Sequence, residues 1–295
     1  MSKVSIVIPN YNGLDLLRKY FPAVVDAWNE PKNLIGEVIV VDNGSTDGGV
    51  DYLEKTFPQV KIIKNKKNLG FSKGVNTGAK ITKGEYLCLL NTDVKPEKDF
   101  LERVLPQFDD SRIFAISLSE RTFPPSSGFF EKGFILHKPI KTTDTCSTFW
   151  VSGGSGIFRK ETWDLLGGFD EDNFSPFYWE DIDLSYRAMK AGYRLLWSPK
   201  GVVFHEHEST AKKVPVWYRT YIQERNYLIF HWKNLTSARL LRKHLVALAK
   251  KIVYHPGFLK PFLGAVAKLP TLIRERRKNK KLEKVSDEAI FAQFK

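Results

Sequence analysis

Residues 86–93 read Tyr-Leu-Cys-Leu-Leu-Asn-Thr-Asp, which is five apolar residues followed by an amide, a hydroxyl and a carboxylate. A short apolar run without polar alternation is typical of a strand that is covered on both faces. Similar runs lie on either side of it, at residues 4–8, 37–41, 60–63 and 113–118. Segments of helical spacing or composition separate these runs, at residues 14–29, 49–56, 71–82 and 98–108. The alternation predicts an α/β fold in which helices flank a mainly parallel central sheet.

Beyond residue 118 the pattern becomes less regular. Residues 119–148, which include a Pro-Pro-Ser-Ser-Gly stretch, are predicted to be a loop. Helices are predicted at 160–166 and 181–191, and short strands at 194–197 and 202–204. From about residue 212 the sequence indicates long, basic, amphipathic helices, broken at Pro256, Pro261 and Pro270. We therefore expect an α/β domain over residues 1–210 and a basic helical extension over residues 211–295.

Composition places the chain among globular proteins. Of its 295 residues 42% are hydrophobic, which is enough for a sizeable core and argues against disorder. The two cysteines, Cys88 and Cys146, are too few for a disulfide framework and fit a reducing cytoplasm. We find neither a signal-peptide pattern nor an apolar run of 18 residues, so we expect a cytoplasmic protein with no transmembrane helix.

The positive charge is concentrated in the extension. Residues 211–295 hold 20 Lys and Arg against 5 Asp and Glu, a net charge of +15, whereas residues 1–210 carry −2. Leu241, Leu245, Leu248 and Ile252 recur at helical spacing among lysines and arginines. A basic amphipathic helix is typical of a membrane surface, so residues 238–284 are predicted to bind anionic lipid, with the charge run at 274–284 exposed and frayed. The alternative is packing on the domain or a homodimer contact. We see no nucleic-acid-binding motif and expect no nucleic acid as partner.

Polar residues follow the predicted strands at the edge where α/β proteins bind ligands. They are Pro9, Asn10, Tyr11 and Asn12 after the first strand, Asp42, Asn43, Gly44 and Ser45 after the second, and Asn91, Thr92 and Asp93 after the fourth. A glycine-rich helix start follows the third strand and includes Asn68, Gly70, Phe71, Gly74 and Asn76. Backbone amides at such a start favour anions. The simpler interpretation of each cluster is a turn or a helix cap.

A second group of acids lies later in the chain. Tyr178-Trp179-Glu180-Asp181 opens a predicted helix, where aromatic rings offer a flat face to a sugar and a carboxylate can act as a base. The next acid, Asp183, is four residues from Arg187 and is expected to pair with it. His205 ends a predicted strand and can bind a divalent cation or a diphosphate, as can His207.

Together these motifs closely resemble the family 2 glycosyltransferases of the GT-A fold, and within them the bacterial rhamnosyltransferase-type branch. The resemblance covers residues 3 to about 210. It rests on Val-Ser-Ile-Val-Ile-Pro-Asn-Tyr-Asn from Val4, Val-Val-Asp-Asn-Gly-Ser-Thr-Asp from Val40, Asn-Leu-Gly-Phe from Asn68, Leu-Leu-Asn-Thr-Asp from Leu89, and Trp-Glu-Asp-Ile-Asp-Leu-Ser-Tyr-Arg from Trp179. It implies an inverting transfer of a sugar from a nucleoside diphosphate.

The resemblance also implies roles for individual residues. Asp42 would contact the base, with the other polar residues of the first four strand ends around the donor nucleotide. Asp93 would bind Mg²⁺ or Mn²⁺ together with His205, whereas His207 is the less favoured ligand. Asp181 would be the general base with Glu180 beside it. Gly153, Gly154, Tyr178 and Trp179 would face the acceptor.

One departure concerns the metal. The family's Asp-x-Asp element has Asn91 in its first position here, which leaves one carboxylate fewer and keeps open a catalytically weak or inactive homologue that only binds nucleotide sugar or glycan. Otherwise the resemblance implies a UDP- or dTDP-linked donor and a glycan or lipid-linked acceptor in cell-surface polysaccharide synthesis. The enzyme would then lie peripherally on the inner face of the cell membrane.

Overall fold

A computed structural model describes residues 2–120, 123–207 and 214–295. The first half alternates strands and helices. Its elements are β1 (Val4–Asn10), α1 (Leu14–Trp28), β2 (Ile35–Asp42), α2 (Gly49–Thr56), β3 (Lys61–Lys64), α3 (Phe71–Ala79), β4 (Tyr86–Leu90), β5 (Val94–Pro96) and β6 (Ile113–Ser119). Each predicted strand of this half is present, because the β-branched and apolar runs fill a sheet that is covered on both faces.

The second half adds a hairpin, the remaining strands and a set of helices. Its elements are β7 (Ser126–Glu131), β8 (Phe134–Pro139), β9 (Cys146–Ser147), β10 (Ser155–Arg159), α4 (Lys160–Leu166), α5 (Glu180–Lys190), β11 (Arg194–His205), α6 (Val216–Asn234), α7 (Ala238–Tyr254), α8 (Leu259–Val266), α9 (Leu269–Lys280) and α10 (Asp287–Ala292). Serine side chains cap two of these helices, since Ser237 accepts from Leu240 N at α7 and Ser286 accepts from Ala289 N at α10.

The described strands form a mixed sheet in the order β3-β2-β1-β4-β10-β6-β11-β5, with β9 paired to β11. Strands β3, β2, β1 and β4 are parallel to one another, and so are β6 and β11, while β10 runs antiparallel between β4 and β6. The carboxyl ends of β1, β2 and β4 therefore meet at one edge. The predicted α/β class with a mainly parallel sheet is confirmed.

Three predictions of local structure were wrong. Residues 98–108 form turns and the 3-10 helix Leu105–Asp109 instead of an α-helix, and Pro106 lacks the amide proton that would continue an α-helix through this position. The predicted loop 119–148 contains the β7–β8 hairpin and β9; Lys132 and Gly133 turn the hairpin with φ of 51° and 88°. The two short strands 194–197 and 202–204 are one strand, β11, with a register shift between Ser198 and Val202.

The extension shares the hydrophobic core with the sheet. Val7 and Leu89 from the strands lie in one buried cluster with Leu228 and Phe230 of α6 and Ile290 of α10. The predicted boundary near residue 210 falls in the gap between described residues 207 and 214. Packing of the extension on the sheet, one of the two alternatives for the tail, is therefore present.

The charge run at 274–284 is not a frayed end, contrary to expectation. Helix α9 continues to Lys280, and Arg276 Nη1 donates to the carbonyl oxygens of Trp232 at 2.5 Å, Lys233 at 3.2 Å and Leu235 at 2.8 Å. The last carbonyls of a helix lack intrahelical partners, so Arg276 caps the carboxyl end of α6. Among the described residues, helices of the length and apolarity needed to cross a membrane are absent.

Candidate active site

A cavity of about 720 Å³ opens at the carboxyl ends of the central strands. Asp93, Asp181 and His205 are far apart in the sequence, and all three line this cavity, as predicted. The residues after β1 and β4 line it, together with residues 152–154, 176–178 and 180–181. A cavity of this size is ample for a nucleotide sugar or a similar ligand.

The end of β4 is held by a glycine opposite it. Asn91 N donates to the carbonyl oxygen of Gly154 at 2.9 Å. A Cβ atom on Gly154 would lie 2.3 Å from Asn91 Nδ2, so a side chain cannot be added there without displacing the Asn91 amide. The neighbouring amide, Gly153 N, donates to Asp181 Oδ2 at 3.3 Å. Gly153 and Gly154 thus connect the end of β4 to Asp181.

Asp93 belongs to a compact group of acids and imidazoles. His205 Nε2 lies 3.2 Å from Asp93 Oδ1, and His205 Nδ1 lies 3.0 Å from Glu120 Oε1. His207 Nε2 lies 2.9 Å from Glu120 Oε2, and the two histidine rings stack with centroids 4.0 Å apart. Ligand atoms of Glu120, His205 and His207 come within 4.8 Å of one another, so these three could hold a metal ion. Asp93 adjoins them through His205.

The charged groups of this cluster shift one another's pKa values. Burial lowers the pKa of His205, but its contacts with Asp93 and Glu120 outweigh burial and raise that pKa to about 9. Burial raises the pKa of Glu120, but the hydrogen bond and charge of His205, with Ser155 and His207, bring it below its ordinary value. Two carboxylates with two imidazoles are a suitable donor set for a divalent cation such as Mn²⁺. Here a protonated His205 provides the positive charge between the carboxylates.

The acid pair opens α5. Asp181 is partly exposed, and its Oδ1 atom accepts from Ile182 N at 2.8 Å. Burial in the cavity wall raises the pKa of Asp181 to about 6, and it raises that of Glu180 well above its ordinary value, with the charge of Asp181 adding to the effect. Among the described residues, the buried Glu180 Oε2 finds no hydrogen-bond partner. Of the two acids Asp181 is therefore the one whose pKa lies below neutral pH, and burial favours the neutral form of Glu180 beside it.

Two residues with a strained backbone directly precede this acid pair. Tyr178 and Trp179 are consecutive non-glycine residues with φ of 74° and 77°, in the left-handed region. Each such residue costs of the order of 1–3 kcal/mol, and it persists only where surrounding contacts hold it. Behind the pair, Asp183 is fully buried and accepts from Arg187 Nε at 2.8 Å, the i,i+4 contact that was expected.

Comparison with known proteins agrees with this geometry. Residues 5–165 match the family model described as glycosyl transferase family 2. The chain belongs to that family. The pre-mycofactocin glycosyltransferase of Mycobacterium tuberculosis is 26% identical over 216 residues, which are 70% of this chain and 43% of that protein. The O-antigen chain rhamnosyltransferase of Salmonella typhimurium is 24% identical over 229 residues, 72% of this chain and 68% of that protein.

A solved structure shares the fold. The mannosyltransferase of Pyrobaculum calidifontis, in complex with GDP-Man and Mn²⁺, superposes with a TM-score of 0.57 at 18% identity, over 95% of this chain and 85% of that chain. The predicted GT-A fold is confirmed. The chain spans about 43% of the length of the mycobacterial relative that it matches.

Ten of the predicted donor residues line the cavity of this family 2 protein. They are Pro9, Asn10, Tyr11, Asn12, Asn43, Asn68, Gly70, Phe71, Asn91 and Thr92. Within the part of the chain that the structure describes, Asp42, Gly44, Ser45, Gly74 and Asn76 are not among the lining residues. These five residues support the residues that line the cavity.

Asp42 is the main change to the family-based assignment. Its Oδ1 accepts from Asn10 Nδ2 at 2.8 Å and Ser45 Oγ at 2.5 Å, and its Oδ2 accepts from Gly44 N at 3.1 Å and Ser45 N at 2.9 Å. A carboxylate at a strand end closes such a turn because it accepts from the amides two and three residues on. In the structure Asp42 therefore orients Asn10, and Asn10 rather than Asp42 lines the cavity.

Two further residues have structural contacts of the same kind. Asn76 clamps Phe169, donating to its carbonyl oxygen at 2.8 Å and accepting from its amide at 3.1 Å. Gly74 allows α3 to approach Asn43, since a Cβ atom there would lie 2.7 Å from Asn43 Nδ2. These contacts fix the spacing of α3 from the site.

The acceptor side differs from prediction in one aromatic residue. Tyr178 lines the cavity, but Trp179 does not; its ring packs at 4.9 Å from Tyr227 and 5.3 Å from Phe230 on α6. The reversed backbone at both residues sends Trp179 into the core. The aromatic side chains that line this wall instead are Phe177 and Trp150, neither of which we assigned from sequence.

Glu120 is the functional candidate that sequence analysis missed. It directly follows β6, so the same rule that found Asp93 applies to it, namely a polar residue at the carboxyl end of an apolar run. We overlooked it because residues 119–148 read as one long loop. His207, which we ranked below His205, contacts the same carboxylate.

Proposed function

We propose that this family 2 protein is an inverting, metal-assisted glycosyltransferase with a catalytic domain over residues 1–210 and a basic helical extension over 211–295. It would move a sugar from a nucleoside diphosphate to a hydroxyl of a glycan or lipid-linked acceptor in cell-surface polysaccharide synthesis. The observation that supports this most is that Asp93, His205 and Asp181, which are far apart in the sequence, line one cavity.

The chain's own residues suit a single displacement. Asp181 accepts the proton of the acceptor hydroxyl while the acceptor oxygen forms its bond to the anomeric carbon. On the opposite face of that carbon the bond to the diphosphate oxygen breaks and its electrons remain on the diphosphate, so the anomeric configuration inverts. Gly153 N holds the Asp181 carboxylate in place, and burial of Glu180 disfavours a second negative charge beside it.

A divalent cation would be held by Asp93, Glu120, His205 and His207. When bound, it supplies positive charge against the leaving diphosphate. Imidazole ligands suit transition metals, whereas Mg²⁺ prefers an all-oxygen set, so this cluster favours Mn²⁺ over Mg²⁺. Glu120 replaces the carboxylate that is absent at Asn91, which argues against the alternative of an inactive binder.

The donor would be UDP- or dTDP-linked. Rhamnose is the sugar that the resemblance favours, and one relative is named as a rhamnosyltransferase. The solved mannosyltransferase was bound to GDP-Man, so a screen of donors must include all three nucleotides.

The extension would bind the inner face of the cell membrane. Apolar side chains that are strongly exposed lie on α7 and α8: Leu245, Val246, Val253, Tyr254, Leu259 and Leu263. Arg242, Lys250 and Lys260 are exposed beside them, and Lys260 Nζ lies 5.3 Å from the centroid of the exposed Trp217 ring. Apolar residues bordered by cations fit an anionic lipid surface. A homodimer contact through this same face is the second interpretation.

A donor screen tests the proposal. UDP-, GDP- and dTDP-linked sugars are incubated with the protein with and without Mn²⁺, and released nucleoside diphosphate is measured. We expect release from one nucleotide class that depends on Mn²⁺, since slow hydrolysis accompanies transfer. Binding of a nucleotide without release of diphosphate, with or without candidate glycan acceptors, would favour the inactive binder.

A further inference from the structure

Asn226 on α6 holds the loop that precedes the acid pair. It is completely buried, and its Nδ2 group donates to three main-chain carbonyl oxygens, those of Phe174 and Phe177 at 3.0 Å and Tyr178 at 2.9 Å. A single side-chain amide thus binds three carbonyl oxygens of a loop that has no regular secondary structure. Satisfied polar contacts of this kind in a buried place fix a single conformation.

The neighbouring Arg225 fixes the orientation of this amide. Its Nε and Nη2 atoms donate to Asn226 Oδ1 at 3.0 and 2.8 Å, so the NH₂ group of Asn226 must face the loop. The same Nη2 atom also donates to the carbonyl oxygen of Ser175 at 2.5 Å. Two consecutive residues of α6 therefore engage four carbonyls of the segment 174–178.

This segment is the strained one. Tyr178 and Trp179 both have left-handed φ values, and Glu180 and Asp181 follow at once. Without external contacts Tyr178 and Trp179 would relax toward ordinary φ values, and this would change the orientation of the first residues of α5. The carbonyl of Tyr178, one of the two strained residues, is among those that Asn226 holds.

Helix α6 also holds α5 from the other side of the acid pair. Lys233 Nζ donates to Asp183 Oδ2 and Asn234 Nδ2 donates to Asp183 Oδ1, both at 2.8 Å. The residues before and after Glu180–Asp181 are thus bound to the same helix. The acid pair lies between two attachments to the C-terminal extension.

We propose that Asn226 is a positioning residue for the transfer reaction, and that α6 is part of the active-site framework through it. Asn226 fixes the carbonyls of Phe174, Phe177 and Tyr178 and thereby directs the Asp181 carboxylate toward Gly153 and the cavity. It touches neither donor nor acceptor. The inference rests on the proposed function for its catalytic consequence, but the holding of the loop can be measured independently.

The experiment compares Asn226→Ala with Asn33→Ala. Asn33 is also completely buried; its Nδ2 donates to the carbonyl oxygens of Ala27 and Lys98 at 2.8 and 2.7 Å, and its Oδ1 accepts from Leu101 N at 3.0 Å. It precedes β2, at the opposite end of the strands from the cavity. Both variants lose a buried amide that bridges main-chain groups, so Asn33→Ala controls for a loss of stability alone.

Two readouts are taken on each full-length variant. Hydrogen exchange of peptides covering 174–183 should accelerate at least about tenfold in Asn226→Ala and stay unchanged in Asn33→Ala. The rate of nucleoside diphosphate release from the best donor should fall at least about tenfold in Asn226→Ala, whereas the Kd for UDP should change less than about twofold. Arg225→Met, which keeps the Asn226 amide, should show both effects more weakly and serves if Asn226→Ala does not fold.

The outcomes separate the two proposals. Similar exchange and similar rates in the two alanine variants would overturn the positioning role, as would an equal loss of UDP binding and turnover. A wild-type protein that releases no nucleoside diphosphate from any donor would contradict the proposed function, and the exchange comparison would still decide whether Asn226 holds the loop.

Discussion

Asp181 and Asp183 lie two residues apart at the start of α5, and the structure predicts opposite effects when each is changed to asparagine. Asp181 is held by main-chain amides in the cavity wall, where burial raises its pKa to about 6. Asp183 is fully buried and accepts from Arg187, Lys233 and Asn234. The negative charge is thus a cost to folding at the first position and a requirement at the second.

The magnitudes follow from these surroundings. A rise of the Asp181 pKa from 3.8 to about 6 corresponds to about 3 kcal/mol at neutral pH. Because Asp181 is partly open to water, we reduce this to about 1–2 kcal/mol. Asp181→Asn should therefore raise Tm by about 2–3 °C. Asp183→Asn removes the charge between two buried cations and should cost about 3 kcal/mol or more.

The pH dependence of stability is a second test of whether the Asp181 charge destabilises the folded state. Below pH 3.8 Asp181 is neutral in both the folded and unfolded states, so its burial costs no stability there. The cost grows as the pH rises from 3.8 to about 6, and it is complete above about 6. The gain in Tm from Asp181→Asn should therefore be close to zero at pH 3, about half of its full size at pH 5 and full at pH 8. A loss of stability in Asp181→Asn, or a gain that does not change with pH, would refute this reasoning.

The same variant should lose activity. Removal of a general base typically costs about 10²–10⁴-fold in rate, and Asp181→Asn should lower turnover by that factor while the Kd for UDP stays nearly unchanged. Wild-type turnover at pH 5 should be roughly a tenth of its value at high pH, because only that fraction of Asp181 is ionised. Equal losses of UDP binding and of turnover would exclude Asp181 as the base.

Three further outcomes are expected. Glu120→Gln should weaken Mn²⁺ binding about tenfold or more in calorimetry, and unchanged affinity would remove Glu120 from the cation site. Gly154→Ala should lower donor turnover about tenfold or more because its Cβ would displace the amide at the end of β4, whereas Gly257→Ala, which meets no atom within 4 Å, should not. Val253→Ser on the exposed face of α7 should reduce binding to anionic vesicles about threefold to fivefold, with Leu165→Ser, at an exposed apolar position on α4, as an unaffected control.

Glu120 and Asp42 show how far the strand-end rule applies. The rule locates both residues, since each ends an apolar strand, but it does not say where a side chain points. Asp42 closes its own turn by accepting from two amides of residues 44 and 45, and Glu120 faces two imidazoles that come from β11 and the residues after it. Local sequence cannot distinguish the two because the imidazole partners of Glu120 lie more than 80 residues away.

Trp179 shows the same difference at the acid pair. From sequence, an aromatic residue beside a carboxylate predicts a sugar-binding surface. The left-handed backbone at residues 178 and 179 reverses the direction of the chain, and so Tyr178 faces the cavity while Trp179 packs on α6. That backbone depends on contacts from Asn226, nearly 50 residues later. A prediction from residues 177–181 alone has no access to those contacts.

The sequence alone determined the fold class, the edge of the sheet at which a ligand would bind, and the identities of Asp93, Asp181 and His205 as candidates, because strand patterning and strand-end polarity are local properties of the chain. Tertiary structure alone decided that Glu120 and His207 join the cation cluster, that Asp42 and Trp179 turn away from the cavity, and that the C-terminal helices hold the acid pair. The physical reason is that the direction of a side chain and its ionisation depend on charges and packing partners that folding brings from distant parts of the sequence.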